Sequence, residues 1–188
     1  PTQLALKGAV VAEQLQRLAG ITWRGSVEAA PGGLTGWRTR VRYAVDESGR
    51  IGFRGRRSHE VVALPEQGCL IASPGPSVAE LGAHARAGSD LEVTVAADRT
   101  VVTVAGGTRR QPPVRETVRG RTFEVEPGGF WQVHPHSAEI LTDAVLTGLR
   151  PVPGERALDL YCGVGLFAGA LVEAGCLVLC ARGERGEG

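Results

Sequence analysis

Along residues 3–20, QLALKGAVVAEQLQRLAG, apolar side chains recur at Leu4, Val11, Leu15 and Leu18, and a glycine closes the run. Those spacings of seven, four and three predict an amphipathic helix with a C-terminal stop. AAPGGLTG then breaks the chain. From Trp37 the period falls to two: Trp37, Thr39, Val41, Tyr43 and Val45 share one face of a strand, Arg38, Arg40 and Arg42 the other. DESG supplies a turn, and Ile51 and Phe53 resume the apolar face, which predicts a β-hairpin with an arginine-rich polar side. SHEVVAL reads as a further strand and SPGPSVAELGAHARAG as a turn and short helix. DLEVTVAADRTVVTVAGG and PVRETVRGRTFEVEPGG read as two more hairpins.

After Pro127 the pattern changes. Ile140, Leu141, Ala144, Val145 and Leu149 mark a helix ending at Pro151, RALDLY is a strand, and a glycine turn opens another helix. The chain is therefore expected to combine α+β and α/β architecture. Residues 1–126 form a small α+β domain, and 127–188 carry the first βα unit of a Rossmann-like domain. A doubly wound sheet cut at this point leaves an unpaired strand edge and a bare apolar face.

With 188 residues, 43% of them hydrophobic, the chain has enough apolar material for a packed core. It contains no run of eighteen apolar residues to span a bilayer, and its start, PTQLALKGAV, lacks a basic signal-like region and an initiator methionine. These features predict a soluble protein and are compatible with a fragment. Cys69, Cys162, Cys176 and Cys180 include no close-spaced CxxC pair, which fits a reduced cytoplasmic setting without membrane association. Net charge is +1, unevenly spread. Residues 37–57 carry seven arginines against Asp46 and Glu47, a local excess of five on a body of about −4. Such a patch suits an anionic partner, although Lys7 is the sole lysine, so arginine is favoured throughout.

Three constellations carry candidate chemistry. In ALDLYCGVGLF, Gly163, Gly165 and Ala168 fit G-x-G-x-x-A, which serves a dinucleotide site or simply a tight strand-to-helix turn. Asp159, in the strand before the turn, would repel a pyrophosphate at the helix N-terminus. S-adenosylmethionine carries a sulfonium and an ammonium instead, so this carboxylate favours it over NAD. In GGFWQVHPHSAEIL, Gln132 can hydrogen-bond a cofactor or a base, while Phe130 and Trp131 suit a packed domain junction. His134 and His136 lack a third ligand and read as loop or helix-start residues rather than a metal site. The arginines of the first hairpin can bind successive phosphates or stack on unpaired bases, or lie on a solvated face among acidic partners.

GWRTRVRYAV…GRIGFRGRRSHEVV, FWQVHPHSAEIL and LDLYCGVGLF, in this order, resemble the uracil-C5 RNA methyltransferases, which make 5-methyluridine in transfer and ribosomal RNA. The corresponding family stretches read much like YRNRVR…GFRRRRSHEVV, FFQVN and LDLYCGVGTF, and the likeness covers roughly residues 35–170. The resemblance implies that Gln132 and Tyr161 contact S-adenosylmethionine, and that Asp159, Gly163 and Gly165 belong to its loop. It also makes Arg38, Arg40, Arg54, Arg56 and Arg57 candidate RNA contacts in a central domain. Leu166 stands where some members have asparagine or threonine, so no polar contact is assigned to it.

The departures shape the expectation. In the family a cysteine attacks C6 of uracil, C5 becomes the carbon nucleophile that accepts the methyl group, and a base then removes the C5 proton. Both groups lie late in the catalytic domain. Cys162, Cys176 and Cys180 do not match that cysteine, so the resemblance implies a piece that is inactive alone. Many members hold an iron–sulfur cluster on four cysteines. Only Cys69 matches one, so neither a cluster nor another metal is expected. The second strand of the family ends in a carboxylate for the ribose hydroxyls, where this sequence has Arg182 and then a Gly, Arg and Glu run of the kind an altered reading frame produces. The expected function is thus part of an S-adenosylmethionine-dependent RNA uracil-C5 methyltransferase. A non-catalytic RNA-binding module is the alternative, and an NAD-dependent oxidoreductase piece is disfavoured by Asp159.

Overall fold

The computed structural model describes residues 2–107 and 111–181. The chain divides into two compact units, residues 1–32 and 33–188.

In the first unit, α1 (Thr2–Ala19) stops where the Gly20 N–H donates to the Gln16 carbonyl at 3.0 Å. The segment from Trp23 to Val27 shares a groove with Leu4, Gly8 and Ala12, one turn apart on the helix. This differs from the sequence expectation at two positions, since Val11 and Leu18 of the anticipated stripe are exposed. The small side chains of Gly8 and Ala12, rather than the larger apolar ones, let the Trp23 ring approach. A Cβ on Gly8 would lie 3.9 Å from that ring.

The second unit is built on an antiparallel five-stranded sheet in the order β3-β2-β1-β4-β5. Its strands are β1 (Arg40–Val45), β2 (Ile51–Arg54), β3 (Val61–Ala63), β4 (Asp90–Val95) and β5 (Thr100–Val104). The predicted first hairpin forms, with Val45 opposite Ile51, and Asp46 organises its turn by accepting from the backbone N–H groups of Ser48 and Arg50, both at 2.9 Å. Val41, Tyr43, Val45, Ile51, Leu91 and Val93 pack with Leu81 of α2 (Val78–Gly82) on one side of the sheet. A capping box between Ser77 and Glu80 starts α2.

The other side of the sheet meets a separate hairpin, β6 (Val114–Val118) and β7 (Arg121–Val125). Arg119 and Gly120, at φ 51° and 80°, form its two-residue turn, the positive-φ geometry that matches strand twist. Val101 of β5 joins Val114, Val118, Phe123, Val125 and Trp131 in a second core, completed by Ala138 and Leu166. At its edge the Arg40 Nη2 donates to Glu116 Oε1 at 3.0 Å, with only 11% and 13% of the two side chains exposed. Arg40 thus departs from the exposed polar face expected for it, because β6 covers the first part of that face. Burial lowers the proton affinity of the Arg40 guanidinium and raises that of the Glu116 carboxyl, outweighing their attraction in both cases.

Helix α3 (Ser137–Leu149) forms as predicted and closes at Arg150, φ 48°, before Pro151. Its buried residues are Ala138 and Thr142, whereas Ile140, Leu141 and Leu149 of the anticipated stripe are exposed. Strand β8 (Arg156–Asp159), helix α4 (Leu166–Glu173) and strand β9 (Leu177–Cys180) make a βαβ unit with parallel pairing from Arg156 opposite Leu177 to Asp159 opposite Cys180. Parallel strands are normally buried on both faces. Here Leu158, Leu177 and Leu179 are each more than half exposed. Arg121 pairs with Glu173 at 2.8 Å and Arg119 with Asp143, tying the β6–β7 hairpin to α4 and α3.

Replacing Glu116 by alanine leaves the Arg40 charge buried without a partner and is expected to lower unfolding stability by about 3 kcal/mol. The double change Arg40→Met with Glu116→Leu is expected to recover most of that loss, both read from urea denaturation of the chain.

Candidate functional site

An open cleft of about 730 Å³ lies between β7, the loop after it, and the strand-to-helix turn between β8 and α4. Alternation along β7 decides what reaches it. Phe123 and Val125 turn into the core, so Glu124 and then Glu126 turn outward and line the cleft. The loop then folds tightly, with the Gly129 N–H donating to the Glu126 carbonyl at 2.8 Å. A Cβ at Gly129 would fall 2.8 Å from that oxygen, so the turn requires glycine. Beyond it, Trp131 is buried against Phe123, ring centroids 5.5 Å apart, while Phe130 is 83% exposed at the cleft.

On the opposite wall the chain leaves β8 through Leu160 and Tyr161. The Gly165 N–H donates to the Cys162 carbonyl at 2.6 Å, and Gly165, at φ 87°, is the N-cap of α4. Leu166, Ala168, Ala170 and Leu171 bury the inner side of α4, leaving Tyr161, 89% exposed, Gly163 and Val164 on the cleft. Among the sequence-derived candidates, Gln132, Tyr161 and Gly163 come together on one cleft. Asp159 and Gly165 do not line it. Asp159 ends β8, and its Oδ2 is buried without a hydrogen-bond partner, an acceptor suited to a cationic or hydroxyl donor. Sequence reasoning missed Glu124 and Glu126. The signal available was the alternation FEVE, which assigns both glutamates to the side opposite the core.

The arginine hairpin is more neutralised than its sequence suggests. Arg42 pairs with Glu92 directly across the β1–β4 ladder, Arg54 with Asp90 at 2.7 Å, Arg50 with Asp46 at 2.6 Å, and Arg40 with Glu116. Asp46 is held well below the usual carboxylate range by its hydrogen bonds from Ser48 and Arg50, and Asp90 holds Arg54 above its ordinary value. Arg38 turns back to donate to the Arg40 carbonyl at 3.1 Å. Arg56 and Arg57 stand exposed in the β2–β3 turn, with no carboxylate partner among the described residues. Arg182 lies outside the described residues. Cys69 is a half-buried free thiol, and no group of three or more metal-ligating side chains occurs among the described residues. The residues described therefore do not fit an iron–sulfur cluster. No described helix is long and apolar enough to cross a membrane.

A glycine-turn cleft on a βαβ unit, lined also by a glutamine loop that follows an antiparallel hairpin, has counterparts among known proteins. No family profile matches the chain. An uncharacterized RNA methyltransferase of Streptomyces avermitilis is 44% identical over 215 residues, 91% of this chain and 49% of that protein. Another from Streptomyces coelicolor is 45% identical over 213 residues, covering 91% and 46%. A 23S rRNA (uracil-1939-C5)-methyltransferase of Pseudomonas fluorescens is 29% identical over 225 residues, 96% and 49%. The fold matches the crystal structure of a Pyrococcus abyssi tRNA (uracil-54, C5)-methyltransferase in complex with S-adenosyl-L-homocysteine. That match has a TM-score of 0.64 over 90% of this chain and 54% of the other, at 18% identity, a likeness of fold. The chain spans about half the length of the curated relatives it matches. Over about nine tenths of its length it is similar to proteins named as RNA methyltransferases.

Changing Gly165 to alanine meets no atom within 4 Å, so its cost is that of a left-handed backbone alone. A loss of about 1 kcal/mol in thermal or urea unfolding is expected, with no change in the second core.

Proposed function

We propose that the protein represented by this chain transfers a methyl group from S-adenosylmethionine to C5 of a uridine in transfer or ribosomal RNA. Residues 1–126 then act as a central RNA-binding domain and residues 127–188 as the start of a Rossmann-like cofactor domain. The observation that carries this reading is the convergence of Gln132, Tyr161 and Gly163 on one cleft at the end of a parallel βαβ unit. When bound, S-adenosylmethionine supplies an electrophilic methyl group. The Gln132 amide offers a donor and an acceptor to the cofactor or the base, and the exposed Tyr161 ring offers a flat apolar cover. Glu124 and Glu126 on the cleft and Asp159 at the end of β8 favour a cationic ligand over a pyrophosphate, which supports S-adenosylmethionine over NAD. For RNA, Arg56 and Arg57 are the readiest contacts, with Arg38 beside them in the proposal. Arg54 and Arg40 would have to exchange a carboxylate for a phosphate.

Cys162 lies on the cleft but is buried in the turn, its Sγ 4.0 Å from the Gly163 carbonyl, a geometry unsuited to attack on C6 of uracil. We therefore propose that the 188-residue chain binds cofactor without turning over. Calorimetry is expected to give binding of S-adenosylhomocysteine and none of NAD, with Gln132→Ala weakening it about tenfold. Tritiated methyl transfer to total RNA is expected to stay at the no-protein level. Preference for NAD would overturn the cofactor reading, and 5-methyluridine above background would overturn the lack of turnover. RNA binding with no cofactor affinity would favour a non-catalytic RNA-binding module instead.

A further inference from the structure

Trp37 belongs to neither hydrophobic core, yet the chain around it is pinned with unusual care. Gly36 and Arg38 donate their N–H groups to the carbonyls of Leu70 and Ile71 at 2.9 and 2.7 Å, and the Thr39 N–H donates to Val133 at 2.7 Å. This strap holds the Trp37 indole against the His134 imidazole, ring centroids 5.8 Å apart and planes 29° from parallel. His136 continues the row at 5.7 Å from His134. The indole Nε1 donates to the Leu34 carbonyl at 3.2 Å, which fixes the ring's rotation.

The electrostatics keep the middle ring neutral. The His136 backbone N–H donates to His134 Nδ1 at 3.2 Å, which requires that nitrogen to be unprotonated and puts the proton of the neutral ring on Nε2. Burial and the neighbouring His136 both lower the proton affinity of His134. Trp37 and His134 are both half-exposed, and an indole stacked with a neutral imidazole offers π surface of the kind on which unpaired bases stack. His134 lies two residues beyond Gln132, which lines the cleft, and Arg38 adjoins Trp37 on the strap.

We propose that the Trp37–His134 stack is a platform for an unpaired base of the RNA, flanking the nucleotide presented to the cleft. This inference rests on the RNA methyltransferase reading and adds a place where the single strand is gripped by its bases rather than its phosphates. A phosphate-only grip would need cations, and neither the indole nor the neutral imidazole is one.

The test uses the 188-residue chain and two labelled single strands of equal length, oligouridine and the same backbone with abasic sites, followed by fluorescence anisotropy. Trp37→Ala is expected to weaken oligouridine binding roughly five- to hundredfold. It should leave abasic binding and the salt slope unchanged, because the phosphate contacts persist. Trp37→Phe should retain binding within about threefold, since a π face is kept. Should Trp37→Ala fail to fold by circular dichroism, His134→Ala in the loop before α3 carries the same expectation. The platform is overturned if a folded Trp37→Ala or His134→Ala chain binds oligouridine like the parent, or loses abasic binding equally. If the parent binds neither strand, the RNA reading fails and the platform with it. If the parent binds both and the variants change nothing, the platform alone fails.

Discussion

One carbonyl oxygen, that of Val133, holds the cleft loop to the sheet. Thr39 donates to it twice, from its backbone N–H at 2.7 Å and its hydroxyl at 3.0 Å, while the Thr39 carbonyl accepts from Val95 on β4 at 2.8 Å. The residue ahead of β1 therefore couples the five-stranded sheet to the segment carrying Trp131, Gln132 and His134. Trp131 enters the core on one side of Val133 and His134 meets Trp37 on the other, so the direction of Gln132 follows from a backbone with little freedom left. One residue further on, Arg40 points to the opposite face of the sheet, and it is buried there because β6 covers that face.

Around this junction charge is used locally rather than displayed. Four of the seven arginines between Trp37 and Arg57 end on carboxylates of neighbouring strands or turns. Arg40–Glu116 is buried; the other three pairs have exposed arginines and contribute little each, typically under about 1 kcal/mol, but they cancel the field of the patch. What remains for an anion is concentrated at the β2–β3 turn. Acidic side chains, by contrast, line the cleft at Glu124 and Glu126, and at the end of β8 Asp159 keeps a buried oxygen without a donor. The proposed function needs a polyanion and a cationic cofactor held side by side, and this separation of signs suits both.

Much of the architecture could be read from the pattern of residues. The period-two runs identify the three hairpins because a strand with one buried face has little choice of alternation. The glycine turn is legible because its φ values admit few other residues. The helix faces were not: Val11, Leu18, Ile140 and Leu141 are apolar yet exposed, and Gly8, Ala12, Ala138 and Thr142 take the covered positions. Periodicity reports an apolar stripe but not which neighbour arrives, and close approach favours small side chains over large ones. Arg40 was misplaced for the same reason, since nothing local to β1 announces that a hairpin seventy residues later will cover it. The cleft brought Gln132 and Tyr161 together as the motifs suggested. Its glutamates needed the knowledge that β7 forms one wall.

The central claim, that this cleft receives an S-adenosyl cofactor, is tested most directly by following the backbone amide and glutamine side-chain resonances of the chain by nuclear magnetic resonance while S-adenosylhomocysteine is added. Shifts confined to Tyr161–Leu166, Glu124–Glu126 and the Gln132 side-chain amide, saturating together with one dissociation constant, are the predicted result. Absence of shifts at millimolar ligand, or shifts that map to the sheet while the Gln132 amide stays still, would contradict it.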